Sequence, residues 1–147
     1  MSDAEPESRK TMHVPISRYT ENLKSIISDI LDFGTQRLIL ITPPPTRETR
    51  DPANRFEYRN AMIKIAKEYD ILIIDTWRVF LLNDTLGEMS WESLESVTMK
   101  DYNDAIMENY LIDEEHYNLN GNEKHWKALS NMIKQFYPEV WPWDRCV

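Results

Sequence analysis

Two kinds of apolar pattern alternate along this chain: stretches with apolar residues every three to four positions, and short runs that are apolar throughout. Ile16, Tyr19, Leu23, Ile26, Ile27, Ile30 and Leu31 fall at helical steps. They predict an amphipathic helix of about 16 residues, with Ser17 as N-cap and Gly34 just past its C-terminus. Arg37-Leu38-Ile39-Leu40-Ile41-Thr42 follows as an unbroken β-rich run, the mark of a strand covered on both faces. Pro43, Pro44 and Pro45 end it, because proline offers no N–H to a sheet and stiffens an extended exit. Beyond a polar loop over 46–52, a second helix is predicted from about Ala53 to Tyr69, with Tyr58, Met62, Ile65, Ala66 and Tyr69 inward. Residues 71–75, Ile-Leu-Ile-Ile-Asp, read as a second buried strand. Helix, strand, loop, helix, strand is the grammar of a parallel sheet with right-handed crossovers.

Residues 77–112 lack a long period. Trp77, Val79, Phe80 and Leu81 suit the start of a short helix and 101–111 suits another, while 83–100 gives mixed signals. The last helix is expected over about 122–137, with Trp126, Leu129, Ile133 and Phe136 inward and Pro138 as its stop. Two strands fall short of the number an independent sheet needs. One edge of Leu38–Ile41 is therefore expected to stay open, long and apolar, which makes it an aggregation site. The chain reads as the back part of a larger α/β domain that lacks its N-terminal strands. Residues 1–14 form an irregular lead-in, 15–137 the domain portion, and 138–147 an aromatic tail with Trp141 and Trp143.

Composition narrows the class. At 147 residues the chain is one domain by length. A net charge of −8 argues against nucleic acid and anionic membrane as partners, since both need a positive face. Cys146 is the lone cysteine, so an intrachain disulfide is impossible, which fits a reducing compartment. The polar, acidic start lacks the regions of a signal peptide. No apolar run approaches the roughly 20 residues that span a bilayer. A cytoplasmic location is expected, and oligomeric state is unreadable.

The candidate chemistry lies late in the chain. Asp113-Glu114-Glu115-His116 precedes the final helix. An Asp three residues before a His suits half of a hydrolytic triad, because the carboxylate fixes the imidazole tautomer and steadies the imidazolium. The plainer reading is a surface turn in which Asp and Asn side chains bond the backbone. Asp75, at a strand's C-terminal end, is a rival carboxylate for His116 or a cap for the next turn. Ser2 sits at a terminus with no strained elbow around it, a poor nucleophile. His116 and His125 with Glu115 or Asp113 match no compact metal-ligand spacing, so neither metal nor cofactor is expected. His13 has no visible partner. The chain contains no Gly-Asp-Ser, no Gly-x-Ser-x-Gly and no suitably placed Cys.

Taken in order, these pieces resemble the SGNH (GDSL-type) hydrolases, in particular their isoamyl acetate-hydrolysing branch. The matching stretches are residues 13–23 (His-Val-Pro-Ile-Ser-Arg-Tyr-Thr-Glu-Asn-Leu), 37–45 (Arg-Leu-Ile-Leu-Ile-Thr-Pro-Pro-Pro), Asp75-Thr76-Trp77, and Asp113 to His116 with Gly121-Asn122. The resemblance implies a three-layer α/β/α sandwich of flavodoxin-like type, with a parallel sheet of about five strands. It also implies hydrolysis of small or lipid-like esters by Ser, His and Asp, with Asp113 and His116 carrying over. The family's serine block and its oxyanion glycine have no counterpart in this sequence. Its Gly-x-Asn-Asp block should fall just before His13, where residues 1–4 read as a remnant with Ser2 in place of the Asn. The expectation is an esterase chain inactive alone, taking a small-molecule ester if completed by the N-terminal part. The alternative is a non-catalytic α/β remnant that acts as a binding module. A Rossmann-like module is a third reading, with no Gly-rich loop behind it among three scattered glycines.

Overall fold

The computed structural model describes residues 13–85 and 90–141. Most of the lead-in, with Ser2, and the end of the tail, with Trp143 and Cys146, lie outside the described residues. The first helix, α1 (Ile16–Asp32), starts two residues earlier than expected: Pro15, not Ser17, is the N-cap. Its carbonyl accepts the Tyr19 N–H at 2.9 Å, so a residue with no donor of its own still opens the helix. Gly34 sits past the end as expected, at φ 83°. Gly34 N–H donates to the Leu31 carbonyl and Thr35 N–H to that of Ile30, the paired closure that needs a left-handed residue. Only Ile27 of α1 is fully buried, and Ile26 and Leu31 are exposed.

The sheet is a parallel pair, β1 (Ile39–Ile41) and β2 (Leu72–Ile74), with Ile39 opposite Leu72 and Ile41 opposite Ile74. Side chains alternate across it. On one face Leu40, Ile73, Ile27, Ile63, Ile65, Ala66, Ile71 and Leu94 form one cluster. On the other, Ile74, Val79, Ala128 and Met132 pack with half-buried Ile39, Ile41, Leu72 and Leu129. Helix–sheet–helix layering follows, as expected for an α/β fold, although the chain is mostly helical and the sheet small. Among the described residues β1 bonds only β2, so its other edge is unpaired.

The crossover between the strands is α2 (Pro52–Tyr69). Asp51, at φ 52°, accepts the Asn54 N–H and Pro52 fills the first turn, the N-terminal arrangement proline favours. The expected inner stripe holds at Tyr58, Ile65 and Ala66, whereas Met62 and Tyr69 are half-buried. Pro52, Arg55, Arg59 and Ile63 are buried instead. Two arginines in a buried stripe require partners, and both have them.

After β2 come α3 (Thr76–Leu81), α4 (Trp91–Glu95) and α5 (Asp104–Met107), which resolve the region of mixed signals into short capped pieces. Ser90 and Asn103 each accept a backbone N–H at the start of α4 and α5. The last helix, α6 (Leu119–Phe136), begins earlier than expected and is rotated. Gly121, Ala128, Ser130 and Met132 face inward, while Trp126 and Phe136, expected inside, are exposed. Small and flexible side chains let the helix approach the sheet, and the large rings are displaced to the rim.

Candidate active site

The loop after α5 is short and closed on itself. Leu111 and Tyr117 form an antiparallel bridge, and Ile112 N–H donates to the His116 carbonyl at 2.8 Å. Asn118 caps α6 by accepting the Gly121 N–H at 3.0 Å. A Cβ at Gly121 would meet the Tyr110 carbonyl oxygen at 2.3 Å, so glycine alone lets the helix start this close to the loop. These contacts place the hairpin-like segment 112–116 directly ahead of α6.

Within that segment Asp113 uses both carboxylate oxygens. Oδ1 accepts the backbone N–H groups of Glu115 and His116, each at 2.8 Å. Oδ2 lies 2.8 Å from His116 Nδ1. The backbone bonds are the turn chemistry of the plainer reading; the bond to the ring is what a triad requires, and one side chain makes both. The backbone donors, followed by the imidazole, hold the Asp113 carboxyl well below the usual carboxylate range. An ionised carboxylate only accepts, so Nδ1 carries the hydrogen and Nε2 presents its lone pair. The ring is 77% exposed and the carboxylate 53%, which leaves Nε2 open to a reacting group.

Asp75 is elsewhere. Its carboxylate accepts the Trp77 N–H at 3.2 Å at the start of α3 and forms a two-pronged pair with Arg59, through Nε at 3.0 Å and through NH2. Both side chains are almost fully buried, at 2% and 1% exposure. Arg59 also donates to the Leu94 carbonyl at 2.7 Å. Asp75 is therefore a cap and a buried ion-pair partner, and the structure does not bring it to His116. His125 packs edge-on against the Tyr117 ring at 5.5 Å, and its half-burial lowers its pKa. Glu115, the notional metal ligand, is bound by Arg55 instead.

The loop's basic neighbours were not apparent from sequence. Arg47 N–H donates to the Glu114 carbonyl at 3.0 Å, and the Arg50 Nε to the Glu114 carboxylate at 2.6 Å. The Arg55 guanidinium meets Glu115 at 2.5 Å. Arg47 itself pairs with Asp104 and Glu108, each at 2.7 Å, and hydrogen bonds from that guanidinium hold the Asp104 carboxyl down to about 2. A shallow cavity of ≈ 280 Å³ opens beside Asp113, between Arg47 and Thr49 on one side and Leu111 and Ile112 on the other. Four arginines at 47, 50, 55 and 59, set against an acidic run at 113–115, are the signal that could have revealed these pairs.

An exposed Asp–His pair with its tautomer fixed thus stands directly ahead of the final helix of a small α/β layer. The chain is related to the GDSL-type (SGNH) hydrolases. It is 32% identical over 81 residues to the human isoamyl acetate-hydrolyzing esterase 1 homolog, covering 44% of this chain and 33% of that protein. The mouse counterpart is 31% identical over a similar stretch, 44% of this chain and 32% of the relative. A GDSL esterase/lipase of Arabidopsis thaliana is 32% identical over 100 residues, covering 56% of this chain and 42% of the relative. The chain thus spans about a third to two fifths of the length of these relatives. No family model matches it. Among the described residues, no helix is long and apolar enough to cross a membrane.

Proposed function

We propose that residues 15–137 carry the acid–base part of a carboxylic ester hydrolase, with His116 as general base and Asp113 as the group that orients it. The observation that carries this reading is the 2.8 Å bond between His116 Nδ1 and Asp113 Oδ2, with Nε2 facing solvent. In the reaction, Nε2 takes the proton of a serine hydroxyl as that oxygen attacks the ester carbonyl. The proton then passes to the departing alcohol. Water repeats the sequence on the acyl-enzyme, again through Nε2, and releases the acid. Asp113 stays ionised throughout.

The 147 residues hold no serine in the nucleophile context of this chemistry, so the attacking oxygen comes from polypeptide beyond this sequence. The test has two arms. The chain by itself should show no hydrolysis of short p-nitrophenyl esters above background, because a base without its nucleophile transfers no acyl group. A polypeptide that also carries an upstream Gly-Asp-Ser block should hydrolyse them, and His116→Ala should abolish that activity. Activity of the chain alone that survives His116→Ala would sink the proposal.

A further inference from the structure

The segment 112–116 has little apolar burial to hold it. Ile112 is 76% exposed and the His116 ring lies largely in solvent, yet a general base must keep its nitrogen within about 0.5 Å of the productive position. The Asp113 bonds fix the ring relative to the loop. They do not fix the loop relative to the sheet. The loop's two ends are held at Leu111 and Tyr117; what ties the segment between them to α2 and the turn before it is a pair of acid–arginine bridges, Glu114 to Arg50 and Glu115 to Arg55, together with the Arg47 backbone bond to Glu114.

The two bridges are unequal. Arg50 and Glu114 are half-exposed, with side-chain exposures of 27% and 46%, and an exposed ion pair contributes little on its own. Arg55 is different: its side chain is 7% exposed, and it rises from the first turn of α2. That turn is anchored by the Asp51 cap and Pro52, and α2 packs on the sheet. The guanidinium therefore meets Glu115 from a fixed mount, with few alternative rotamers left to lose.

We propose that Arg55, assisted by Arg50, is a positioning residue for His116: the arginines clamp Glu115 and Glu114 and so register the base-bearing loop to the sheet. The inference rests on the reading of Asp113 and His116 as an orienter and base. It gives the two glutamates between them a role, since each carboxylate is bound by an arginine. The clamp fixes where the ring stands, while Asp113 fixes which nitrogen carries the proton. Losing the clamp should leave the protein folded but let the loop sample positions in which the Asp113–His116 bond opens.

The test uses the full chain labelled with ¹⁵N in its three histidines, observed at about pH 9, above the ordinary imidazole range. Nitrogen shifts then report which tautomer His116 adopts. The unsubstituted chain should show the Nδ1–H form as the major species. Glu114→Gln with Glu115→Gln should keep a cooperative unfolding transition yet lose that form as the major species, moving towards the mixture of a free histidine. Arg50→Gln, at a half-buried position outside the core, should stay folded and shift the population the same way by less. An unchanged tautomer in folded forms of both variants would overturn the clamp. Asp113→Asn separates the two ideas: if the Nδ1–H form persists there, the Asp–His reading fails, and if only that variant loses it, the clamp alone fails.

Discussion

Two carboxylates in this chain, one just past β2 and one in the loop ahead of α6, are each bound by a nitrogen base, and their settings are opposite. Asp75 and Arg59 are sealed in the core at 1% and 2% exposure. Asp113 and His116 stand in solvent at 53% and 77%. The buried pair is committed to structure: Arg59 donates to Asp75, Asn60 and the Leu94 carbonyl, and Asp75 also accepts the Trp77 N–H that caps α3. The exposed pair leaves one nitrogen unused. Burial of an ion pair thus marks a structural fixture, because it must be fully satisfied to exist at all. An exposed pair with one lone pair left over marks a place where chemistry can happen.

That contrast can be broken most severely at the exposed pair. In a polypeptide that supplies the serine, Asp113→Asn should lower kcat by on the order of 10⁴, since the amide holds the wrong tautomer. The Asn amide oxygen can still accept the Glu115 and His116 N–H groups, so the same substitution should move the denaturation midpoint far less than it moves the rate. A large stability loss with little loss of rate would make Asp113 a turn residue only. At the buried pair the pattern should invert. Arg59→Met leaves Asp75 charged and unpaired in the core, and should cost about 3–5 kcal/mol in denaturant unfolding. A loss below about 1 kcal/mol, the level of an exposed pair, would erase the distinction.

Two smaller effects sharpen it. Gly121→Ala forces a Cβ against the Tyr110 carbonyl, and should cost about 1–3 kcal/mol by overpacking, measured as a shift in the thermal midpoint. The pH response should be smallest. Asp113 titrates below its ordinary value of 3.8 in the folded protein, so its contribution to stability is complete above that value and fades only as pH falls towards the folded one. The carboxyl ¹³C shift of Asp113 should therefore remain that of an ionised group through about pH 3, and a midpoint at the ordinary value would show that the three bonds to it are not formed in solution.

The frame was readable because period and punctuation agreed. Apolar steps gave α1 and α2, continuous β-branched runs gave β1 and β2, and Gly34 marked a true helix end. Reading failed where side-chain size was taken as a guide to burial. In α6 the large residues Trp126 and Phe136 lie at the surface, since the helix approaches the sheet through Ala128 and Met132. It failed again at Arg55 and Arg59, which periodicity counts as solvent-facing and pairing makes internal. Residues 77–112 could not be read by period, as α4 and α5 are shorter than two turns; their side-chain caps were the available signal. The Asp113–His116 pair is local and was visible as a spacing. The arginines that hold the loop were not, because each lies some 60 residues away along the chain.

That separation also orders events in time. The contact between the strand ends, Thr42 with Thr76, closes over 34 residues, whereas Arg55 with Glu115 closes over 60 and Arg50 with Glu114 over 64. Contacts that close longer loops tend to form later, so the β1–α2–β2 unit is assembled before its arginines can reach the late loop. The folding transition state would then resemble a protein whose 112–116 loop is still unanchored. Glu115→Gln should accordingly quicken unfolding in stopped-flow measurements and leave the refolding rate nearly unchanged. The Asp113–His116 pair, only three residues apart, would then be made early but seated against α2 in the last step of folding, and unseated in the first step of unfolding.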